Sequence, residues 1–414
     1  MIIMHQIKTK KSKYARAGVD FEKEHDIVGI LKALNKVTLP FTEDLRKIGI
    51  SFPEFSTDFS GGFRVDVKKL LENRISRYIA QECVDGPGSK PVVHALYNGD
   101  NPIKLACASI DSIAMVVNDL ICSGARPVTL TEYHSWHNPN LEIARQMAYG
   151  NLIAAELSKA TIIGGENASL SIMITGPVPE KAYDMCHIAH GIILDKELVD
   201  NPLGKQRVKD GDIVIGLSSS GIHCNGITLA WKTAIDYSNK GFLQAQRINE
   251  KNDFLGESVA EAILTPTTIY VGPVLKLINE YKNSIKAIAN ITGEGIDNIR
   301  RVLPKNIGLG LDYSNKHVQK PQPIFRWIEK NADVPVKEMY LDYNMGTGMV
   351  LVVDSHYSDE IIGFLNKYPR NEKYPWQNFK AYKLGEVAKD KKQSVNLIAY
   401  NGKKEYYKKP KNKE

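Results

Sequence analysis

The sequence has few cysteines, and their spacing excludes the common metal and redox motifs. Its 414 residues contain 5 cysteines, and no two of them are separated by the two residues typical of zinc and dithiol sites. An odd number of cysteines also argues against a disulfide framework. We therefore expect free thiols that pack as small apolar side chains, in a reducing, cytoplasmic compartment.

The sequence also lacks a long hydrophobic run. No stretch reaches the roughly 18 to 20 apolar residues that span a bilayer, and we expect no secretory signal in the basic start. The net charge is +7, but residues 1–16 carry +5 and residues 402–414 carry +4, which leaves −2 for the remainder. Because basic chain ends are usually solvated, we expect neither a membrane nor a nucleic acid as partner.

Three common active-site motifs are absent from the sequence. It contains no P-loop pattern G-x-x-x-x-G-K-[ST], no G-x-G-x-x-G after a strand, and no G-x-S-x-G elbow. These absences exclude P-loop and Rossmann nucleotide sites and an α/β-hydrolase nucleophile. Any nucleotide site in this chain must therefore be of another type.

Predicted strands and helices alternate along both halves of the chain, which indicates a two-domain α+β or α/β protein with mixed sheets. The run 101–110 is predicted as a buried strand, and 112–124 as the helix that follows it and ends at Gly124. The Gly-, Pro- and charge-rich stretch 201–212 is the best linker. The predicted parts are a basic N-terminal segment (1–16), an N-terminal domain (17–204), a C-terminal α/β domain (205–401) and a Lys-rich tail (402–414).

Four glycine-bearing turns follow predicted strands. Glycine allows the backbone to approach a ligand closely, and amides at a helix N-terminus suit phosphate. One such turn usually forms a corner and nothing more. Four of them, three with an acidic residue and one with a lysine, favour phosphate binding. The turns are Asp85–Lys90, Gly164–Asn167, Ser220–Gly226 and Thr292–Gly295.

The stretch DSIAMVVNDLICSGARP (111–127) places acidic residues in an otherwise apolar helix. In one interpretation Asp111 is the N-cap of this helix and Asp119 is exposed or holds the turn at 124–127. In the other, Asp111 and Asp85 hold Mg²⁺ between phosphates, because Mg²⁺ prefers carboxylates, phosphate oxygens and water. The residue types alone leave both interpretations open.

The histidines suggest one candidate site. His134 and His137 have the spacing of a metal pair on a helix, but they lie at a predicted strand end and loop, which favours a polar loop. His223 lies in a Gly-flanked loop ahead of a helix, two residues before Asn225. It can serve chemistry there or structure the loop.

Taken together, these motifs resemble those of the phosphoribosylformylglycinamidine cyclo-ligases, also called aminoimidazole ribonucleotide synthetases. The resemblance covers most of the chain in order. Residues 119–127 match the D-x4-G-A-x-P signature of the wider ATP-binding superfamily, and residues 14–20 resemble the family's Y-x-x-A-G-V-D opening. The stretches specific to this branch are LTPTTIYVGPVLKLI (264–278), ANITGEGIDNIRRVLP (289–304) and EMYLDYNMGTGMVLVV (338–353).

The resemblance implies a fold and an activity. Members pair an N-terminal domain, whose strands form a barrel at a homodimer interface, with a C-terminal α/β domain. The implied reaction is ATP-dependent closure of formylglycinamidine ribonucleotide to aminoimidazole ribonucleotide in purine biosynthesis, through phosphorylation of the formyl (amide) oxygen. The implied cofactors are ATP and Mg²⁺, with K⁺ as a candidate. The alternatives are another ATP-using superfamily member, such as a small-molecule kinase or selenophosphate synthetase, and a catalytically silent homologue.

The resemblance also implies roles for individual residues. The implied catalytic residues are Asp111, His223 and Lys32. The implied nucleotide and phosphate contacts are Gly61, Gly62, Phe63, Asp85, Lys90, Gly164, Gly165, Glu166 and Asn167. The implied substrate contacts are Asn225, Thr292, Gly293, Asn344 and Gly346, and the implied metal ligands are Asp85, Asp111 and Glu166. The sequence departs from the family pattern at Asn167, Asn290 and Glu294, and Glu294 adds a negative charge beside the implied phosphates.

Overall fold

The computed structural model describes residues 21–52 and 60–408, in which two β-sheets with their helices follow one another along the chain. The motif at 14–20 lies outside these residues, as do the basic segment 1–16 and residues 409–414 of the Lys-rich tail. None of the described strands belongs to both of the larger sheets. This arrangement agrees with the predicted two-part mixed fold.

The first part of the chain contains a four-stranded sheet. Its strands, together with a short two-stranded pairing, are β1 (Ile50–Ser51), β2 (Arg64–Val65), β3 (Ile79–Asp85), β4 (Arg126–Trp136), β5 (Thr161–Ser169) and β6 (Tyr183–Ile193). Its helices are α1 (Phe21–Thr38), α2 (Glu43–Lys47), α3 (Val67–Glu72), α4 (Lys90–Leu96), α5 (Pro102–Leu105), α6 (Cys107–Cys122), α7 (Leu141–Ser158) and α8 (Lys196–Asp200). The strand order is β3-β6-β4-β5, and within this sheet only the β4–β5 pair is parallel.

The second part contains a seven-stranded sheet. Its strands are β7 (Ile213–Ser218), β8 (Ile285–Asn290), β9 (Ile307–Asp312), β10 (Thr347–Val353), β11 (Ala381–Lys389), β12 (Val395–Ile398) and β13 (Lys404–Tyr407). Its α-helices are α9 (Ile227–Ala234), α10 (Tyr237–Lys240), α11 (Val259–Ile263), α12 (Val271–Tyr281), α13 (Asp297–Arg300), α14 (Pro323–Asn331), α15 (Val336–Asp342) and α16 (Ser358–Asn366). The strand order is β13-β12-β9-β11-β7-β10-β8, and the neighbouring strands are antiparallel except β9 and β12. Strand β13 occupies the start of the predicted Lys-rich tail.

Six short 3-10 helices connect these elements within the described residues. They are Leu39–Thr42, Pro179–Lys181, Lys205–Arg207, Gly241–Asn249, Ser355–Tyr357 and Pro375–Gln377. Within the same residues, every helix is too short or too polar to cross a lipid bilayer.

The predicted strand at 101–110 is wrong, because α5 and α6 occupy this run. The side chain of Asn101 accepts hydrogen bonds from the amides of Ile103 (3.0 Å) and Lys104 (3.4 Å), which caps α5. Residues 106–110 are all buried, so this part of the run has no periodicity to distinguish a helix from a strand. Asp111 is consequently inside α6, and the prediction that it is an N-cap is also wrong.

Helix α6 ends through backbone contacts. Gly124 adopts a φ of 85°, and its N–H donates to the carbonyl oxygen of Ile121 at 2.9 Å. The N–H of Ala125 donates to Leu120 at 3.3 Å. Glycine is preferred here because this left-handed conformation is strained for other residues.

The predicted turn at 164–167 is wrong as well, since these residues continue β5. They pair in parallel with β4, and Gly165 lies opposite Glu132. A Cβ on Gly165 would lie 2.6 Å from the Glu132 carbonyl oxygen, so only glycine fits this close approach of the two strands.

Helix α6 lies between the two sheets and contacts β3, β4 and β6 on one side and β8 and α12 on the other. Its Ile110 and Ile113 belong to the same hydrophobic core as Ile215, Leu217 and Leu277 of the second part. The polar side chains of α6 are therefore presented at the boundary between the two parts.

Candidate active site

The turn after β3 lies against the second part of the chain. Asp85 ends the strand, and its carboxylate accepts a hydrogen bond from the amide of Gly86 at 2.7 Å. Gly88 has a φ of 60°, and a Cβ there would lie 3.1 Å from the Cys224 carbonyl oxygen. The turn brings Ser89 within hydrogen-bond distance of Thr228, with 2.8 Å between the two hydroxyl oxygens. The predicted turns at 85–90 and 220–226 therefore meet.

Lys90 begins α4 and forms an ion pair with Asp111 in which both side chains are fully buried. Its ammonium group also donates to the carbonyl oxygen of Thr265 at 3.1 Å. Burial alone would lower the pKa of Lys90, but the adjacent Asp111 carboxylate outweighs burial and the pKa is raised. Lys90 is therefore a buried permanent cation.

The other oxygen of Asp111 holds the second part of the chain. Its Oδ1 accepts a hydrogen bond from the amide of Thr267 at 2.5 Å, and the Cys107 thiol donates to Oδ2 at 3.1 Å. Both carboxylate oxygens thus have protein partners. Asp111 therefore joins helix α6 to the segment that precedes α12.

Asp119 lies at the same boundary, and the prediction that it holds the turn at 124–127 is wrong. Its Oδ1 accepts a hydrogen bond from Asn290 Nδ2 at 2.8 Å, and the Cys83 Sγ lies 3.9 Å from Oδ2. Partial removal from bulk water raises the pKa of Asp119, and the nearby Asp85 charge adds to this. Asn290, one of the departures from the family pattern, is therefore the partner of a carboxylate.

Asn344 organises the Ser-rich loop after β7. Its amide nitrogen donates to the carbonyl oxygen of Gly221 at 2.9 Å. Its Oδ1 accepts from the Ser219 hydroxyl and from the Gly346 amide, each at 2.9 Å. Because Asn344 is buried and its carbonyl is shared, it fixes the loop rather than facing an open cleft.

His223 is buried inside this loop. Its backbone adopts a φ of 56°, and its Nε2 accepts a hydrogen bond from the Ser220 amide at 3.3 Å. Burial and then the nearby Lys90 charge lower the pKa of His223 to about 3. The imidazole is therefore neutral near pH 7 and structures the loop that carries Asn225.

The turn after β8 approaches the same loop. A Cβ on Gly293 would lie 3.5 Å from Asn225 Oδ1. Asn298 holds this turn, because its amide donates to the carbonyl oxygens of Gly293 (2.6 Å) and Gly295 (3.1 Å). The structure thus brings Asn225 and Gly293 together, as sequence reasoning placed them on one side of a site.

The remaining predicted nucleotide contacts form a second group along β5. A Cβ on Gly61 would lie 2.2 Å from the Ile163 carbonyl oxygen, so the segment 61–63 lies directly against this strand. Glu166 is exposed on β5, and Asn167 Oδ1 accepts from Trp136 Nε1 at 3.2 Å. Lys32 is exposed on α1, which packs against β5. Within the described residues, no hydrogen bond or ion pair joins the side chains of this group to the Lys90–Asp111 pair.

Comparison with known families matches both parts of the chain. The family described as AIR synthase related protein, N-terminal domain, matches residues 84–190, and its C-terminal domain matches residues 209–398. The phosphoribosylformylglycinamidine cyclo-ligase of Methanocaldococcus jannaschii is 33% identical over 355 residues, which are 86% of this chain and 89% of the relative. That of Pyrococcus horikoshii is 34% identical over 377 residues, 91% of this chain and 95% of the relative.

The chain belongs to the phosphoribosylformylglycinamidine cyclo-ligase family.

Solved structures with the same fold are more distant in sequence from this cyclo-ligase family member. Escherichia coli HypE, a hydrogenase maturation protein, has a TM-score of 0.55 at 15% identity and covers 92% of this chain and 98% of its own. The thiamine-monophosphate kinase of Stenotrophomonas maltophilia has a TM-score of 0.54 at 13% identity and covers 90% of this chain and 95% of its own. At such identities the likeness extends to the fold alone.

The described carboxylates of this cyclo-ligase family member do not form a preassembled metal centre. Among residues 21–52 and 60–408, no group of three or more His, Cys, Asp or Glu side chains is arranged to hold a metal ion. Asp85 is half-buried, and burial raises its pKa. Asp85, with the Asp119 carboxylate nearby, suits Mg²⁺, which usually takes one or two carboxylates, substrate phosphates and water.

Sequence reasoning missed a buried polar cluster under the turn after β3, which we call the Glu132 cluster (Ser112, Glu132, His134, Asn151 and His187). The Nε2 atoms of both histidines lie 3.4 Å from Glu132 Oε2, which also accepts from Asn151. His187 Nδ1 is 2.9 Å from the Ser112 hydroxyl. Burial alone would raise the pKa of Glu132, but the two histidines and Asn151 lower it.

The structure separates His134 from His137, which the sequence spacing had suggested as a metal-binding pair. His134 points into the cluster, whereas His137 Nδ1 lies 2.8 Å from the carbonyl oxygen of Ile174 in a loop. One sequence feature could have revealed part of the cluster. Side chains two residues apart share a face of a strand, which places Glu132 and His134 on one face of β4.

Proposed function

We propose that this chain catalyses the ATP-dependent cyclisation of formylglycinamidine ribonucleotide to aminoimidazole ribonucleotide, with release of ADP and phosphate, in de novo purine biosynthesis. The observation that carries this proposal is the similarity to cyclo-ligases at 33–34% identity over most of both chains. A fragment or a shared single domain would not produce this coverage. ATP use is also compatible with the fold, since one HypE structure of the same fold is a complex with ATP.

The catalytic cleft in this proposal lies where the turn 85–90 meets the loop 219–228 and the turn 292–295. Asp85 and the buried Lys90 charge act on the phosphates. Asn225, Thr292 and Gly293 contact the substrate, while Asn344 and Gly346 hold the wall behind them. Two glycine turns that meet beside the buried Lys90 charge provide the amides and positive charge that phosphate recognition requires.

The nucleotide side of the cleft would be completed by the residues along β5. In this proposal Gly61, Gly62 and Phe63 cover the nucleotide, with Gly164, Gly165, Glu166 and Asn167 beneath it and Lys32 as a further phosphate contact. The support is spatial, because the segment 61–63 and α1 both pack against β5. Closure of these residues on the cleft would bring the two groups together.

The chemistry requires positioning and charge neutralisation rather than a protein nucleophile. The formyl (amide) oxygen of the substrate attacks the γ-phosphorus of ATP, and the bond to ADP breaks. The ribosyl-bearing nitrogen then attacks the activated carbon, the C–O bond breaks and phosphate leaves. A neutral His223 and a permanently charged Lys90 suit this scheme, because the first holds the loop geometry and the second opposes the negative charge of the transferred group.

Asp85 is the carboxylate best placed to hold Mg²⁺ in this cleft, with Glu166 as a second ligand once the β5 side closes. When bound, the ion would neutralise charge on the ATP phosphates. Asp111 was also predicted as a ligand, and we propose that it acts through Lys90, since both of its oxygens already have partners. A K⁺ ion stays a prediction.

We also propose a homodimer formed through the outer face of the four-stranded sheet, as in the barrel expected from the family. Strand β3 alternates partly buried and exposed residues, and Val84 on its outer side is 64% exposed. An exposed apolar side chain on a sheet face favours burial against a second copy. We keep the domain boundary near residues 204–205, between β6 and β7, and a cytoplasmic location as parts of the proposal.

The test of the proposed function is an assay with purified protein, ATP, Mg²⁺ and formylglycinamidine ribonucleotide. Imidazole product is measured by colour formation from its aromatic amine, and ADP is measured in parallel. We expect equal amounts of both products. ADP without imidazole would indicate another kinase-like activity of the superfamily, and binding of ATP without either product would indicate a silent homologue.

A further inference from the structure

A cavity of about 940 Å³ lies outside the catalytic cleft. It is bounded by the end of α7, the start of α12 and the segment 366–380 after α16. None of the residues proposed for ATP, metal or substrate lines it. Its volume is within the range of sites that enclose a small molecule.

The segment that forms one wall of the cavity is held in a defined shape. The Asn371 amide donates to Asn378 Oδ1 at 2.8 Å, and Asn378 Nδ2 donates to the Asn371 carbonyl oxygen at 3.2 Å. Asn371 Oδ1 accepts from the Tyr374 amide at 2.8 Å. At the base, Gln377 Oε1 accepts from the Ile269 amide at 3.0 Å. The cavity is therefore preformed and does not depend on a loose loop.

The lining carries an excess of positive charge. Arg370, Lys373 and Lys380 line the cavity with one acid, Glu372. Lys373 is bonded to Glu156 at 3.0 Å. Within the described residues, the side chains of Arg370 and Lys380 form neither an ion pair nor a hydrogen bond. Two cations are thus available to an anionic ligand, and phosphate is the anion that Arg and Lys together suit best.

The same cavity offers a surface for a flat ring. The rings of Tyr368 and Phe379 line it with centroids 6.4 Å apart and planes 34° apart. Leu157 and Pro273 add apolar surface. Aromatic and apolar walls beside free cations match a ligand with a ring at one end and a phosphate at the other.

We propose that this cavity binds a nucleoside monophosphate or a closely similar phosphorylated ring compound, at a site separate from the catalytic cleft. Arg370 and Lys380 hold the phosphate, and Tyr368 and Phe379 hold the ring. This inference does not depend on the cyclo-ligase activity.

The test is calorimetric titration of the full-length protein with AMP, while a saturating non-hydrolysable ATP analogue occupies the catalytic nucleotide site. We expect one AMP per chain, and weaker binding of adenosine, which lacks the phosphate. Arg370→Ala/Lys380→Ala should weaken AMP binding by about tenfold or more, because it removes two charge-assisted contacts. Arg370→Lys/Lys380→Arg should retain most of the binding.

Lys391→Ala/Lys392→Ala is the matched control, since it removes the same charge from an exposed turn whose lysines do not line the cavity. It should bind AMP as the wild type does. Absence of AMP binding to the wild type, or equal affinity in Arg370→Ala/Lys380→Ala, overturns the proposal. Turnover of that variant should stay within about twofold of wild type at saturating substrates. If this variant lost turnover while its melting temperature stayed unchanged, the cavity would belong to the catalytic site. That result would overturn the proposal of a separate site.

Discussion

Lys90 and Asp111 form a fully buried ion pair that also joins the two parts of the chain, because Asp111 accepts from Thr267 and Lys90 donates to Thr265. A buried charge that loses its partner is far more costly than a missing surface ion pair. The pair is therefore both a structural link and the source of the cation in the proposed cleft.

Asp111→Asn should destabilise the protein by about 3 to 5 kcal/mol, because it leaves the Lys90 charge buried and uncompensated. Denaturant unfolding measures this change, and turnover should fall with it. Asp195→Asn is the control, since its partner Lys282 is only partly buried and the loss should be at most about 1 kcal/mol.

Removing both charges separates stability from chemistry. Lys90→Met/Asp111→Leu should recover much of the stability lost in Asp111→Asn, because apolar side chains of similar size tolerate burial. Turnover should not recover, since the cation is gone. An active double variant would show that the pair has no part in phosphate chemistry.

Asp85→Asn should raise the Mg²⁺ concentration needed for half-maximal activity by about tenfold or more, because a neutral amide is a weaker ligand for a hard cation. The measurement is initial rate against free Mg²⁺ at fixed ATP. Asp100→Asn, a change to an exposed carboxylate, should leave this curve in place. If both variants shifted the Mg²⁺ dependence equally, the effect would come from the overall charge of the protein and not from Asp85 as a metal ligand.

Regular elements with a clear period could be predicted from sequence. The predicted helix 141–160 corresponds to α7, and the predicted strands 213–217 and 285–291 correspond to β7 and β8. The start of helix α6 could not be predicted, because burial of nearly all of its residues removes the amphipathic signal that marks where a helix begins.

The types of residue at the site could be predicted from the sequence better than their arrangement in space. The glycine turns at 85–90, 220–226 and 292–295 do meet at one boundary. Pairing of Lys90 with Asp111 is a tertiary contact between two helices, and no local spacing encodes it. The Glu132 cluster was hidden for the same reason, since two strands and two helices contribute to it and no single one of its residues stands out in the sequence.

Asn118 is predicted to position the segment before α12. Its amide donates to the Thr268 carbonyl oxygen and its Oδ1 accepts from the Tyr270 amide, each at 2.9 Å and buried. Asn118→Ala leaves two buried backbone groups unsatisfied, so stability should fall by about 2 to 4 kcal/mol. Turnover number should fall more than the apparent substrate affinity, because Thr267 in this segment contacts Asp111.

Asn331→Ala is the comparison for Asn118→Ala, because Asn331 donates a single hydrogen bond, to Trp327 in its own helix. It should change stability by less than about 1.5 kcal/mol and leave turnover intact. Equal effects of the two variants on stability and turnover would show that Asn118 does not position the segment before α12.

Val84→Glu should convert the proposed dimer to a monomer, because it replaces an exposed apolar side chain with a second charge beside Glu82 on the sheet face that a second copy would cover. Light scattering coupled to size-exclusion chromatography measures the mass. Val67→Glu is a matched control, since both valines are 64% exposed but Val67 is on helix α3. A Val84→Glu dimer would exclude this face as the interface.

Acidification should destabilise the fold through His94. Its Nε2 lies 3.0 Å from Gln146 Oε1 and its Nδ1 lies 3.0 Å from the Tyr183 hydroxyl, so the neutral ring is satisfied on both sides. Burial lowers the pKa of His94 to about 4, below the ordinary value of 6.5. The unfolded chain therefore binds a proton first, and stability that is complete above pH 6.5 is lost as the pH falls toward 4.

His94→Gln removes this titration while it keeps a hydrogen-bonding side chain. Between pH 7 and pH 5, the wild type should lose about 2 kcal/mol more unfolding free energy than the variant, from a shift of roughly 1.5 pH units below the unfolded pKa. His223 titrates at a still lower pKa in both proteins and cancels in the difference. Parallel stability curves for the two proteins over this range would mean that His94 is protonated, or solvent-accessible, in the folded state.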